Sequence, residues 1–474
     1  MEKKNPCIAM VPSPGFSLLQ PLIEFSKRLV VFYPHFHITF FIPTLGPPSP
    51  AAHSIFQSLF LPQIEFIILP HINMEDFKAN NNDPVTQMHL TVTLSLPSLR
   101  RELSSFISSR THHLVAMVAD LFSVDALEIA KELNIKSYVF HSSSVTSLSF
   151  FLRLPELDED HETVSTGFRE LSQPLKLPGR CVAFQGKDLP RPVQERSSDS
   201  YKTFLHASKR LRFADGIIVN SFQDLEREAI EALQESNNKY PFLHPVGPIL
   251  QTTSTIINKS NLECLTWLGN QPQNSVLYVS FGSGGTLSHD QLHELALGLQ
   301  MSGHKFLWVL RAPSASPSSA YLSAQKENPF DYLPKGFLER TKGQGFVVPS
   351  WAPQIEVLSH ESTGGFLTHC GWNSILEAMV YGKPMIAWPL FAEQRMNAVM
   401  LVEQFKVAVR PKGDENYKNG IVMREEVARV VRIVMEGEEG RELQTRIRVF
   451  KETAAKATSE EGTSTRMLSN LAFE

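Results

Sequence analysis

Short runs of β-branched and aromatic residues alternate with amphipathic stretches along most of this chain. That alternation restricts the fold more than any other feature. In the first half the strand candidates are Cys7–Val11, Ile38–Ile42, Ile64–Leu69, Leu114–Ala119, Ser137–Phe140 and Gly216–Val219, with helices expected around 21–33, 84–109, 123–133 and 222–234. Strands separated by helices of this length pair in parallel through crossovers. The second half repeats the scheme: Val276–Ser280, Phe306–Leu310, Gly345–Val348, Gly365–Leu367, Met385–Trp388 and Val407–Val409 alternate with helices near 289–301, 373–381, 393–405 and 424–436. At 474 residues the chain is long enough for two cores. The fold class is therefore α/β, with two Rossmann-like, doubly wound domains expected to face each other across a cleft.

The expected division is an N-terminal domain over 1–245, a linker over 246–262, a C-terminal domain over 263–450, and a C-terminal helix or tail over 451–474 packing back toward the N-terminal domain. The linker segment, VGPILQTTSTIINKSNL, has little periodicity and many Thr, Ser and Asn. Lysine plus arginine number 45 against 49 acids, a net charge of −4 that argues against nucleic acid or an anionic membrane as main partner. The four cysteines, Cys7, Cys181, Cys264 and Cys370, are far apart and form no CxxC pair, so neither a disulfide framework nor a zinc site is expected. No apolar run approaches the roughly eighteen residues of a spanning helix. The five apolar residues before Pro12 are too few for a signal-peptide core. A cytoplasmic location is the expectation.

Three loops carry chemistry. The Pro/Gly loop that opens VPSPGFSLLQPLIEF (11–25) leaves the first strand, yet with Phe16, Ser17, Leu18 and Leu19 it offers no acid, base or cation. SFGSGGTLSHDQL (280–292) is a Gly-rich strand-to-helix turn whose small residues let backbone N–H groups approach a phosphate. Alone it is equally a tight βα connection. GGFLTHCGWNSILEAM (364–379) has the same form, with His369 at the strand end, Asn373 and Ser374 opening the helix, and Glu377 one turn in. Two such turns with a histidine beside one suit a diphosphate; a core histidine and a capping Asn or Ser is the plainer alternative. Trp351, at another strand end, suits stacking on a nucleobase or simple packing. Glu393 and Gln394 suit sugar hydroxyls or an ordinary first helical turn.

Residues 351–394, WAPQIEVLSHESTGGFLTHCGWNSILEAMVYGKPMIAWPLFAEQ, closely resemble the plant secondary-product box of the family-1 UDP-sugar glycosyltransferases, without a gap. The resemblance runs through most of the chain and is closest to the branch acting on small phenols, monolignols and flavonoids. It implies the GT-B architecture with the donor held by the C-terminal domain. It implies that Trp351 stacks on uracil, that Ala352 offers backbone to the base, and that Gln354 and Glu377 hold the ribose. His369, Asn373, Ser374 and Ser283 then meet the diphosphate, and Trp372, Glu393 and Gln394 the sugar. Gln394 at the end of the box implies glucose. The resemblance also implies UDP-glucose as donor substrate with no cofactor and no metal, a small phenolic or flavonoid acceptor, and a monomer.

Members read PSPG-x-[GS]-H-L-x-P in the first loop, where the histidine is the general base. Here PSPGFSLLQP aligns without a gap and Leu18 occupies the histidine position. The partner carboxylate is retained in VADLFSVDALEIA (118–130) as Asp120, with Asp125 read as a capping or solvated acid. His141 is a candidate substitute base, weighed against a strand-end residue outside the pocket. Phe16, Leu18, Phe122 and Phe150 are the candidate acceptor walls, with plain core the stronger reading for Phe122 and Phe150. The implied function is an inverting UDP-glucose-dependent glucosyltransferase working with weak or acceptor-activated catalysis. Donor or phenolic binding without turnover, and an engineered His-to-Leu form of an active enzyme, stand as alternatives. A nicotinamide dehydrogenase ranks last, because the first loop holds only Gly15 where G-x-G-x-x-G would be needed.

Overall fold

A computed structural model describes residues 5–45, 61–72, 83–108, 112–160, 167–179, 182–236, 239–252, 259–314, 327–413 and 420–471. The chain divides into two compact units, Met1–Gln251 with Lys456–Glu474, and Thr252–Ala455.

The first unit is built on a seven-stranded sheet of β1 (Asn5–Val11), β2 (His37–Ile42), β3 (Ile64–Ile68), β4 (His112–Ala119), β5 (Lys136–His141), β6 (Gly216–Val219) and β7 (Phe242–Pro245). Its order is β3-β2-β1-β4-β5-β6-β7, and every pairing is parallel. Cys7 through Val11 are each fully buried. That explains why these strands read as continuous apolar runs: helices cover both faces of a parallel sheet. The order reverses between β1 and β4, whose ends pair at Val11 and Ala119. Ligands in open α/β sheets gather outside the carboxyl ends of strands at such a reversal. The segment leading to Leu18 and the turn carrying Asp120 leave the sheet there.

The second unit holds β8 (Val276–Ser280), β9 (Lys305–Leu310), β10 (Gly345–Pro349), β11 (Thr363–Thr368), β12 (Met385–Ala387) and β13 (Ala408–Val409). Its all-parallel order is β10-β9-β8-β11-β12-β13. The reversal here lies between β8 and β11, where Ser280 pairs with Thr368. The two glycine-rich turns of the sequence emerge side by side at that point.

Several elements depart from the sequence expectations. β7 lies at the sheet edge, just before the expected linker, and the helix Lys259–Gly269 begins inside that linker. The helices Val145–Glu159 and Asp199–Leu211 have no counterpart among the expected ones. Val145–Glu159 buries residues all round its axis, so its apolar pattern has no helical period to read. Its start is fixed by Ser144, whose side chain accepts the Ser147 N–H, and by the buried Glu226 carboxylate, which accepts the Val145 and Thr146 N–H groups at 2.8 and 2.9 Å. The closing helix, Thr463–Ser469, belongs to the first unit. Arg28 donates to Thr465 Oγ1 and Tyr33 to the Ser469 carbonyl, and Leu468 and Leu471 join the core around β1 and β2. Among the described residues no helix is long and apolar enough to cross a membrane.

Candidate active site

In the first unit, Asp120 is the first residue after β4 and is 3 % exposed. Its Oδ2 accepts the Ser13 N–H at 2.7 Å and the Ser13 hydroxyl at 2.8 Å. Its Oδ1 accepts the N–H groups of Phe122 at 2.9 Å and Ser123 at 3.1 Å. Ser123 Oγ also lies 3.1 Å from Oδ1, but its single proton is better used on the Val11 carbonyl at 2.6 Å. Burial pushes the Asp120 carboxyl above its ordinary value, and these donors oppose the push. The carboxylate therefore ties the β1 loop to the β4 turn.

Leu18 lies in the first turn of the helix Phe16–Phe32, which opens on Gly15. The Leu18 and Leu19 N–H groups both reach the Gly15 carbonyl. The helix begins earlier than the sequence suggests, since Pro21 sits inside it rather than before it. Leu18 is half-buried and has no atom able to take a proton. The side chain of Phe16 lies outside the described residues.

Burial decides the alternatives weighed for Phe150 and His141. Phe150 is fully buried against Phe151 and Phe168, so it presents no surface to an acceptor; it is core. Phe122 keeps a little exposure and meets Phe204 edge-on at 5.4 Å. His141 is 3 % exposed and pairs with Ser147 Oγ at 3.0 Å, and burial pulls its imidazole down to about 4. A base that weak and that enclosed is a poor candidate for general-base work.

Asp125 is neither a cap nor solvated. It is the hub of an ion-pair network, with His206 Nε2 at 2.8 Å, Arg210 Nε at 2.7 Å and His89 Nε2 at 3.7 Å. Two imidazoles and a carboxylate this close have the donor set of a divalent-cation site. Arg210 already places a positive charge on the same carboxylate oxygen, so a metal would have to displace it. The ion-pair reading is the simpler one.

In the second unit the residues of the sequence motif converge. The Gln354 amide donates to Ser374 Oγ at 2.9 Å and to Glu377 Oε2 at 2.5 Å, and the Tyr278 hydroxyl donates to Gln354 Oε1 at 3.3 Å. Gln354 opens the helix Gln354–Ser359, and Ser374 and Glu377 lie on Trp372–Tyr381. His369 follows β11 directly. An added Cβ at Gly282 would come within 2.4 Å of its ring and one at Gly371 within 2.5 Å, so both turns need glycine to flank the imidazole. Its Nδ1 is sealed from solvent with no hydrogen-bond partner. Burial, and then the charge of Arg311, pull His369 down to about 4, which leaves it neutral near pH 7.

Gln394 Oε1 accepts the Leu390 and Phe391 N–H groups, both at 2.9 Å, which leaves its NH2 as the group able to meet a ligand oxygen. Glu393 stands half-buried at the N-cap position of the helix Gln394–Val399, without a side-chain capping bond. Ser350, Cys370 and Ala392 adopt positive φ of 65°, 65° and 52°. Each stands next to a motif residue: Trp351, His369 and Glu393. Left-handed backbone at non-glycine residues is costly and gathers where geometry serves a ligand. Ala352 is buried, Trp351 and Ser283 are half-buried, and Trp372 is nearly enclosed. These residues all lie in the second unit, whereas Leu18 and Asp120 lie in the first.

The family model for "UDP-glucoronosyl and UDP-glucosyl transferase" matches residues 216–434, which takes in every residue from Ser283 to Gln394 and stops short of Asp120 and Leu18. Over the whole chain, the sequence is 48 % identical to UDP-glycosyltransferase 72B1 of Arabidopsis thaliana, covering 100 % of this chain and 97 % of that one. It is also 48 % identical to the hydroquinone glucosyltransferase of Rauvolfia serpentina, covering 99 % and 97 %. The chain belongs to this glycosyltransferase family. Among solved structures, Phytolacca americana UGT2 complexed with UDP-2fluoro-glucose and pterostilbene superposes with a TM-score of 0.89 at 44 % identity, covering 99 % of both chains. A Polygonum tinctorium UDP-glucosyltransferase capable of glucosylating indoxyl superposes with a TM-score of 0.90 at 46 % identity, covering 99 % of this chain and 98 % of that one. The fold is thus GT-B.

One property of this glycosyltransferase follows from the site alone. Burial pushes Glu377 up to about 7, against 4.5 for a free glutamate, and Gln354 only partly offsets it. A buried acid whose folded pKa is raised adds stability fully below the unfolded value, and that stability is lost as pH rises through the folded one. We therefore expect the wild type to lose on the order of 3 kcal/mol between about pH 4.5 and about pH 7 through this group. Glu377→Gln should flatten that part of the pH dependence and raise the urea midpoint above pH 7. Equal midpoints for both proteins at high pH would show that Glu377 ionises there without penalty.

Proposed function

We propose that this chain is an inverting glucosyltransferase that passes glucose from UDP-glucose to small phenolic acceptors and depends on the acidity of the acceptor itself. One observation carries the reading. Gln354, Ser374 and Glu377 are hydrogen-bonded together and His369 follows β11 at the β8/β11 reversal, while a leucine stands in the first helical turn beyond β1. The roles follow the chemistry of each group. Trp351 gives the uracil an aromatic face and Ala352 a backbone group, while Gln354 and Glu377 hold the ribose hydroxyls. Ser283, His369, Asn373 and Ser374 receive the diphosphate, and Trp372, Glu393 and Gln394 the glucose. A neutral His369 serves as a hydrogen-bond donor there, not as an acid.

The acceptor oxygen attacks the anomeric carbon from the face opposite UDP, so the α-linked donor gives a β-glucoside. The C1–O bond to the diphosphate breaks with its electron pair going to UDP. The phenolic proton passes to solvent before attack. A phenol with pKa near about 10 is about 1 % ionised at pH 8, enough for slow turnover, whereas an aliphatic alcohol is not. The named relatives support the acceptor class: one is a hydroquinone glucosyltransferase, and one solved neighbour was complexed with pterostilbene.

The same leucine also favours a second reading, donor binding without transfer. Incubation with UDP-glucose and hydroquinone, followed by mass spectrometry and the anomeric proton coupling of the product, separates the two. A β-glucoside that forms faster as pH rises supports transfer. Tight UDP-glucose binding with no product at any pH would leave only the binding reading.

A further inference from the structure

Arg311 is a positive charge at the donor site that the motif residues do not account for. It is the first residue after β9, and β9 lies between β10, which leads to Trp351, and β8, which leads to the Ser283 turn. Backbone bonds pin its segment to both neighbours. The Ser350 N–H reaches the Leu310 carbonyl at 2.8 Å, and the Ser314 N–H reaches the Leu287 carbonyl at 2.8 Å. Arg311 is partly buried, and its Nε is sealed from solvent without a hydrogen-bond partner. No carboxylate among the described residues forms an ion pair with it.

A guanidinium withdrawn from water without an anion is unfavourable, and it is made favourable by bringing the anion to it. The groups that feel its charge are the Tyr278 hydroxyl and the His369 imidazole. Both are neutral near pH 7: burial raises the first and lowers the second. Neither supplies the missing negative charge.

We propose that Arg311 is the counter-charge of the donor diphosphate, held at the carboxyl end of β9 and used to stabilise UDP as it leaves. This rests on the UDP-sugar reading above. A planar guanidinium can give two parallel N–H bonds to phosphate oxygens, which a point charge cannot. Burial also pulls the guanidinium below its ordinary value, as expected of a cation waiting for its partner.

The test is calorimetric binding of UDP and of uridine to wild type, Arg311→Met and Arg311→Lys, with transfer rates measured alongside. If Arg311 pairs with the diphosphate, Arg311→Met weakens UDP about tenfold or more while uridine binding stays unchanged. Arg311→Lys keeps the charge and loses the fork, so it falls between, again with uridine unchanged. UDP affinity of the wild type should also drop more steeply with added salt than that of Arg311→Met. Equal losses for UDP and uridine would assign Arg311 to packing and overturn the proposal. So would wild-type UDP affinity in Arg311→Met. If Arg311→Met does not fold, Arg311→Lys decides: it must discriminate UDP from uridine or the proposal falls. Failure of the wild type to bind either ligand would instead overturn the donor reading itself.

Discussion

Leu18→His should transfer glucose to a simple phenol about 10²-fold or more faster than the wild type, measured as kcat/KM at pH 7. A positioned base removes the phenolic proton in the transition state, whereas the wild type must wait for the small ionised fraction. The difference corresponds to about 3 kcal/mol of barrier or more. The pH profiles should separate too. The wild-type rate should climb with pH toward the acceptor pKa, while Leu18→His should level off above the imidazole pKa. The substitution sits in a half-buried first turn that opens on Gly15, so little loss of stability is expected. Equal rates for the two proteins, with the wild type already fast, would mean that some other group takes the proton.

The second large effect is a coupling. In the Leu18→His background, Asp120→Asn should remove most of the gained rate, because an anionic carboxylate orients and stabilises an imidazolium in a way an amide cannot. In the wild-type background the same change should leave the rate nearly untouched, since no imidazole is present. It should still cost stability. Both Asp120 oxygens accept backbone N–H groups, so either amide orientation sets an NH2 against a donor, at a cost of about 1–3 kcal/mol. Rates and urea midpoints for the four proteins of the cycle measure both effects. A rate loss of the same factor in both backgrounds would mean that Asp120 already acts in the wild type, directly or through water.

Much of this molecule is legible in its sequence. The motif residues between Trp351 and Gln394 lie in one uninterrupted segment, so their resemblance to the family motif is visible without the fold. The strands at both reversals are apolar and buried, and their apolar runs mark their limits to within a residue or two. β7 is hidden because Phe242–Pro245 is a four-residue edge strand ending in proline. The helix Val145–Glu159 is hidden because its first half is buried on every side and mixes serine and threonine among its apolar residues. Nothing local pairs Ser13 with Asp120, since 107 residues separate them. Asp125 looks like a helix-start acid, and only the arrival of Arg210 and His206 from a distant helix makes it a hub. Arg311 carries no motif; its place between β10 and β8 comes from topology. What sequence hides here is long-range pairing, not local chemistry.

Glucose transfer by this chain is expected to draw its nucleophilic charge from the acceptor. The most direct test is kcat/KM for wild-type enzyme and UDP-glucose across substituted phenols whose pKa falls from about 10 to about 7, with an aliphatic alcohol beside them. The rate should rise severalfold for each unit by which the acceptor pKa falls, and the alcohol should give no detectable glucoside. A flat series, or ready glucosylation of the alcohol, would contradict it.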